Sequence, residues 1–431
     1  MCGVYGTATL SGRGFLPDFY QIRKKILGKT GLLTDLFLAY YDARRNKRNT
    51  INALAFEMNY ESNLLTLYDE IISRNYNIKP SICFINFSPV QREIFAADFR
   101  NRVIHHLIYN YISPIFDKTF INDSYSCRKG KGTHYGIKRI AKFIRSCSQN
   151  YRKDCYILKL DISGYFMAMN RTLLYNKVKT VMEKNRDKLT FDFDLILYLI
   201  EKVIFSDPTK HCIIKGKRSD WKGLPKTKSL FYANKDCGLP IGNLTSQLFG
   251  NVYMNEFDHF VKKELGIKHY GRYVDDFIIV HPDKNYLKFI LPAIGGYLKK
   301  SLHLEMHPKK IYLQHYSKGV QFLGTVIKPH RIYIASRTKG NFYKAIEKQN
   351  IVARDHKPTE IEIEDFIASM NSYLGIMQHY KTYRMRKKMI FKNLSAWWWN
   401  YVYLTGGISK FAKKKKITLG NNVYSLWRVK C

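Results

Sequence analysis

The chain has 431 residues, 45% hydrophobic and 15% aromatic, enough apolar material for several packed subdomains rather than one. Lys and Arg number 72 against 34 Asp and Glu, a formal charge of +38. That excess is too large and too widely spread for a localisation tag, and it calls for a polyanionic partner bound in a salt-dependent way. The aliphatic and aromatic content argues against a ribosome-like or membrane-surface protein.

In chain order, the N-terminus MCGVYGTATLSGRGF lacks the sustained apolar stretch of a secretory signal. Residues 1–85 read as an N-terminal helical segment, because apolar residues recur at three- and four-residue steps from 31 to about 80. NIKPS (77–81) breaks that pattern. Residues 86–155 begin with an extended stretch and continue as a long amphipathic helix stopped by Pro114, with His105 and His106 on its surface. The basic, Gly-containing loop SYSCRKGKGTHYG follows and leads into another helix.

Residues 156–335 open on a short apolar strand, Tyr156 to Leu160, that ends at Asp161. A basic insertion (205–236), rich in Gly, Pro and Lys, precedes GLPIGNLTSQLFGNVYMNEFD, a Gly-rich loop (Gly238, Gly242) running into a helix-compatible segment. HYGRYVDDFIIV then reads as a β-hairpin whose tight turn holds Asp275 and Asp276. From 336 to 431 the chain is helical again and ends in a basic tail with the run Lys413 to Lys416. LSAWWWNYVYLTGGIS (394–409) is too short and too rich in Tyr, Ser, Thr and Gly for a membrane span. The eight cysteines show no CxxC pair and no zinc spacing, so reduced, mostly buried thiols in a soluble cytosolic protein are expected.

Two aspartates forced together at a turn repel and raise each other's pKa unless a cation neutralises them. Magnesium, a hard ion that takes oxygen ligands and leaves positions open for phosphates, suits that role. Asp161 supplies the third carboxylate of a site for two ions, one at the attacking hydroxyl and one at the leaving pyrophosphate.

Asp161, the Gly242 loop and Tyr273-Val274-Asp275-Asp276, in that order and with 114 residues from Asp161 to Asp275, resemble motifs A, B and C of a reverse transcriptase palm. Phe322-Leu323-Gly324 resembles its motif E, the primer grip, and HPKKIYL, containing Lys310, the end of motif D. The resemblance spans roughly residues 85 to 395. It implies an α+β right-hand polymerase: fingers over 86–155, an antiparallel-sheet palm over 156–335 and a helical thumb from 336. It also implies RNA-directed DNA synthesis with two Mg2+ ions held by Asp161, Asp275 and Asp276. Lys310 would be the acid for departing pyrophosphate, and Arg92 and Arg128 would neutralise the triphosphate, Arg being suited to bidentate phosphate contacts. Phe166, five residues after Asp161, would be the steric gate against a ribose 2′-hydroxyl. Ile241, Gly242 and Gln247 complete the expected dNTP site.

IGNLTSQ, REIFAADFRNRVIHH, CRKGKGT, LPKTKSLF and NSYLGIMQHYKTY resemble the reverse transcriptases of diversity-generating retroelements. That subfamily implies a template-repeat RNA, a cDNA primer-template, adenine-directed errors, a small basic oligomeric accessory protein and a prokaryotic cytoplasm. Val90 stands where the family usually has a lysine after the proline of its first fingers motif. Ile241 stands where many relatives have glutamine; without that side chain's hydrogen bond, right and wrong nucleotides differ less in transition-state binding. A group II intron- or retron-type reverse transcriptase, or a phage-defence polymerase with untemplated synthesis, are the competing expectations. Fewer than about 40 residues follow the expected thumb, short for an RNase H, integrase or endonuclease domain, so a minimal polymerase with helpers is expected.

Overall fold

The computed structural model describes residues 31–414, apart from residues 46, 48, 49, 88 and 89. The first 30 residues and the end of the lysine run therefore lie outside the described residues. The described chain divides into two compact units between Lys318 and Gly319.

The first unit begins with helices α1 (Leu32–Arg44), α2 (Ile51–Glu57) and α3 (Tyr60–Ile72), where the apolar periodicity predicts helix. Strands β1 (Ile82–Asn86) and β2 (Arg92–Ala96) pair antiparallel. Helix α4 (Phe99–Asp117) follows, its N-terminus capped by Asp98, whose carboxylate accepts from the Arg100 amide. Pro114 does not stop this helix, which runs three residues further. Proline removes one backbone donor, and here burial of Ile112 and Phe116 on the same helix outweighs that loss. His105 is also not a surface residue. It is buried, with Nδ1 2.8 Å from the Thr245 hydroxyl, and burial pulls its pKa down to about 3.

Helix α5 (Thr133–Cys147) leads to β3 (Tyr156–Asp161), short α6 (Tyr165–Ala168), α7 (Arg171–Glu183) and α8 (Phe193–Phe205). The insertion contains β4 (Ile213–Ile214), which pairs parallel with β1, and three short 3-10 turns. Helix α9 (Leu244–His259) then precedes the hairpin β5 (His269–Tyr273) and β6 (Asp276–His281), helix α10 (Lys284–Leu302) and β7 (Tyr312–His315). The four strands form one antiparallel sheet in the order β5-β6-β3-β7. β6 is buried along Phe277–Val280 and packs against helices α5 and α10, which is why its sequence reads as an unbroken apolar run rather than alternating.

The second unit starts with a meander, β8 (Val320–Phe322), β9 (Thr325–Lys328) and β10 (Arg331–Ile334), which pairs only within itself. The expected palm boundary at 335 therefore falls inside this unit. Helices α11 (Ser336–Asp355), α12 (Glu360–Met377) and α13 (Tyr383–Asn393) follow. The Trp-rich stretch is a 3-10 turn and an antiparallel hairpin, β11 (Val402–Thr405) with β12 (Lys410–Lys413), not a helix. Trp398 is buried and stacks on Phe366 at 4.2 Å between ring centroids, anchoring the hairpin to α12. Among the described residues no helix is long and apolar enough to cross a membrane. Cys83, Cys147, Cys155, Cys212 and Cys237 are free thiols, as expected, but Cys127 is disulfide-bonded.

Candidate active site

The carboxylates meet at one end of the four-stranded sheet. Register sets Asp161, the last residue of β3, opposite Asp276, the first residue of β6, so both side chains leave the same face. Tyr273 pairs with Asp276, which makes Val274 and Asp275 the two turn residues. The tight turn thus holds Asp275 alone, and Asp276 belongs to the strand. Val274 adopts φ 58°, a left-handed conformation that a β-branched residue rarely takes. It is held from both sides: its amide donates to Ser126 Oγ (3.2 Å) and its carbonyl accepts from Arg272 Nη1 (2.9 Å). The Asp275 carbonyl accepts from the Ile162 amide at 3.2 Å, tying the turn to the end of β3.

Arg272 is fully buried and makes a bidentate pair with Asp258 of α9, Nε to Oδ1 at 2.8 Å and Nη2 to Oδ2 at 2.6 Å. This arginine, Asp258 and Ser126 fix the strained turn, and the sequence reading missed all three. The signal available was weak: an arginine two residues before Val274, inside an otherwise apolar strand.

Two lysines face the carboxylates. Lys310 Nζ lies 2.8 Å from Asp161 Oδ1 and Lys159 Nζ lies 3.1 Å from Asp276 Oδ2. Burial raises the pKa of Asp275, and the charge of Asp161 raises it further. Burial pushes Asp276 up to about 7; Lys159 opposes this, while Asp275 and Asp161 add to it. Asp276 Oδ1 is buried and has no hydrogen-bond partner among the described residues. Hard oxygen donors crowded together, one of them orphaned, fit a divalent cation. Among the described residues, no group of three or more His, Cys, Asp or Glu side chains is arranged to hold a metal ion.

Beside the turn lies a cleft of about 480 Å³, counting the space open to solvent. Its walls bring together Arg92, Phe166, Ile241, Gly242 and Gln247, five of the six expected dNTP-site residues, with Val274 and Asn251. Gly242 has φ 128°, and a Cβ there would lie 2.8 Å from the Phe95 carbonyl oxygen, so only glycine fits. The Ile241 carbonyl accepts from the Phe95 amide at 2.9 Å, joining this loop to β2. Phe166 lies over Gly250 of α9, where even a methyl group would sit 3.4 Å from the ring. Among the described residues Arg92 Nε is buried without a hydrogen-bond partner, a donor that a ligand in the cleft could take up.

Arg128, the sixth expected residue, does not line the cleft. Its guanidinium donates to Asp117 Oδ1 (2.6 Å) and to the carbonyls of Ile121 (2.7 Å), Ser124 (3.1 Å) and Asp117 (3.2 Å). It holds the loop that carries Ser126 rather than pointing at the cleft. Phe322, Leu323 and Gly324 belong to the second unit, where Leu323 (φ 46°) and Gly324 (φ 82°) form the two-residue turn between β8 and β9.

A sequence profile described as reverse transcriptase (RNA-dependent DNA polymerase) matches residues 91–327. That is more than half of the chain, and the chain belongs to the reverse transcriptase family, the RNA-directed DNA polymerases. Protein YkfC of Escherichia coli (strain K12) is 22% identical over 308 residues, covering 64% of this chain and 73% of that protein. Among solved structures, the Candida albicans telomerase in complex with a fragment of telomeric RNA is similar at a TM-score of 0.43 and 13% identity, over 77% of this chain and 59% of that one. A C-terminally truncated apo telomerase from Candida tropicalis gives 0.42 and 14%, over 63% and 60%. The chain thus spans about 60% of the length of these telomerase chains.

Proposed function

We propose that this reverse transcriptase serves a diversity-generating retroelement in a prokaryotic cytoplasm. In this reading it copies a template-repeat RNA into error-prone, adenine-mutated cDNA, working with a small basic oligomeric accessory protein. The observation that carries the reading is Ile241 in the wall of the cleft, beside Phe166 and Gln247. An apolar side chain there offers no hydrogen bond to align the incoming nucleotide.

Asp161, Asp275 and Asp276 would hold two Mg2+ ions; the orphaned Asp276 Oδ1 supports this. Bound there, the ions would supply Lewis-acid stabilisation of the attacking and departing oxygens. The chain's own residues do the rest. Arg92 turns its unpartnered donor to the triphosphate, and the Phe166 ring fills the space a ribose 2′-hydroxyl would need. Lys310, which pairs with Asp161 at 2.8 Å, would give a proton to departing pyrophosphate.

The test is the error spectrum of cDNA made by the full chain with its accessory protein and template RNA. Ile241→Gln restores one hydrogen bond, worth about 0.5–1.5 kcal/mol net, so misincorporation opposite template adenine should fall about two- to tenfold. An active Ile241→Gln enzyme with an unchanged spectrum would separate infidelity from this residue. A wild-type spectrum without adenine bias would sink the retroelement reading.

A further inference from the structure

Between β3 and α9 the 205–236 insertion holds eight Lys or Arg against three Asp. Lys215, Lys217, Arg218, Lys222, Lys226 and Lys228 are all exposed. A basic loop is ordinarily a solvated one that needs no fixed position. This one is fixed. Glu93 of β2 is buried, and its carboxylate accepts from Trp221 Nε1 (2.7 Å), the Ser229 hydroxyl (2.7 Å) and the Leu230 amide (2.5 Å). Gln91 Nε2 donates to the carbonyls of Asp220 (2.7 Å) and Lys222 (3.1 Å). β4 extends the β1–β2 sheet. A carboxylate that would be costly to bury alone is satisfied entirely by the insertion.

The anchored segment borders the catalytic machinery. Leu230 shares a small core with Phe95 and Met167, against which Phe166 and Ile241 pack. A Cβ on Gly164, in the turn after Asp161, would lie 2.9 Å from the Thr227 carbonyl oxygen. At the same place two aromatic rings face solvent, Phe231 at 40% and Tyr232 at 61% exposure. Lys226 Nζ sits 5.3 Å from the centroid of the Tyr232 ring.

We propose that the insertion is a clamp for single-stranded template RNA beside the nucleotide cleft, its lysines on phosphates and Tyr232 stacked on an unpaired base. Fixed cations beside an exposed ring suit a strand whose bases are not yet paired, since every base offers a face for stacking. Paired product presents its phosphates but no free face. The proposal rests on RNA being the template, which cDNA synthesis reports separately.

The experiment uses the full chain and RNA–DNA primer-templates that are blunt or carry about 12 unpaired template nucleotides. Wild type should bind the overhang form more tightly. Tyr232→Ala should remove about fivefold or more of that gain, while Tyr232→Phe keeps it. The double variant Lys226→Ala, Lys228→Ala should lower the salt slope on the overhang form by about one to two units. No gain from an overhang in wild type would overturn the proposal. So would a folded Tyr232→Ala protein with the full gain, or a double variant with an unchanged slope.

Discussion

Asp275 carries the site's conflict most directly. Its carboxylate is raised by burial and by Asp161, so the charge that would hold a cation works against the cation-free fold. Asp275→Asn should therefore unfold at the same or a higher temperature than wild type without divalent ions, while cDNA synthesis falls by at least about a hundredfold. Asp161→Asn should lose activity likewise. Near-normal dNTP incorporation by either folded variant would remove the catalytic assignment. At Phe166 the question is selectivity. Phe166→Ala opens the wall over Gly250 and should raise the ratio of rNTP to dNTP incorporation on one template. An unchanged ratio would make Phe166 part of the core alone.

Among elements, α4 and α9 are joined by His105 and Thr245, and that joint has a pH signature. His105 titrates near 3 in the fold but near its ordinary 6.5 when unfolded, so acid protonates the unfolded chain first. Stability from this group is complete above about pH 6.5 and is lost as pH falls towards 3, at about 1.4 kcal/mol per unit once well below 6.5. Denaturant unfolding at pH 7 and 5.5 should show that loss, and His105→Gln should show less of it. An equal loss in the variant would place the acid sensitivity elsewhere. The same joint shows where sequence reading stops. Asp161, Asp275 and Asp276 stand out by spacing and order, and the helices over 32–72 by local periodicity. Arg92 and Arg128 look alike as residue types. They differ because Asp117 and two nearby carbonyls occupy Arg128, while Arg92 Nε has no hydrogen-bond partner among the described residues. Ser126 and Arg272 brace the turn from positions 148 and 2 residues away from Val274. Only the folded chain brings the more distant of these together.

At the scale of the whole molecule the +38 charge dominates. If six to ten phosphates are contacted, affinity for RNA should fall about 10³- to 10⁵-fold between 50 and 200 mM salt. A binding curve flat across that range would mean that contacts other than phosphate carry the affinity. The same charge constrains the proposed accessory protein: two basic partners repel, so RNA must lie between them or the contact must be apolar. The pairing of β4 with β1 has a further consequence, for the order in which the protein is made. β1 leaves the ribosome long before its partner, because Ile82 pairs with Ile213. Until Leu230 has emerged, the Glu93 carboxylate lacks the donors that let it be buried, and the β1–β2 hairpin exposes an open edge. The β1–β2 side of the cleft can therefore close only after β3 and Asp161 have been synthesised. A nascent chain stalled before that point presents an incomplete cleft and a sticky strand, and it is a natural client for chaperones or proteases.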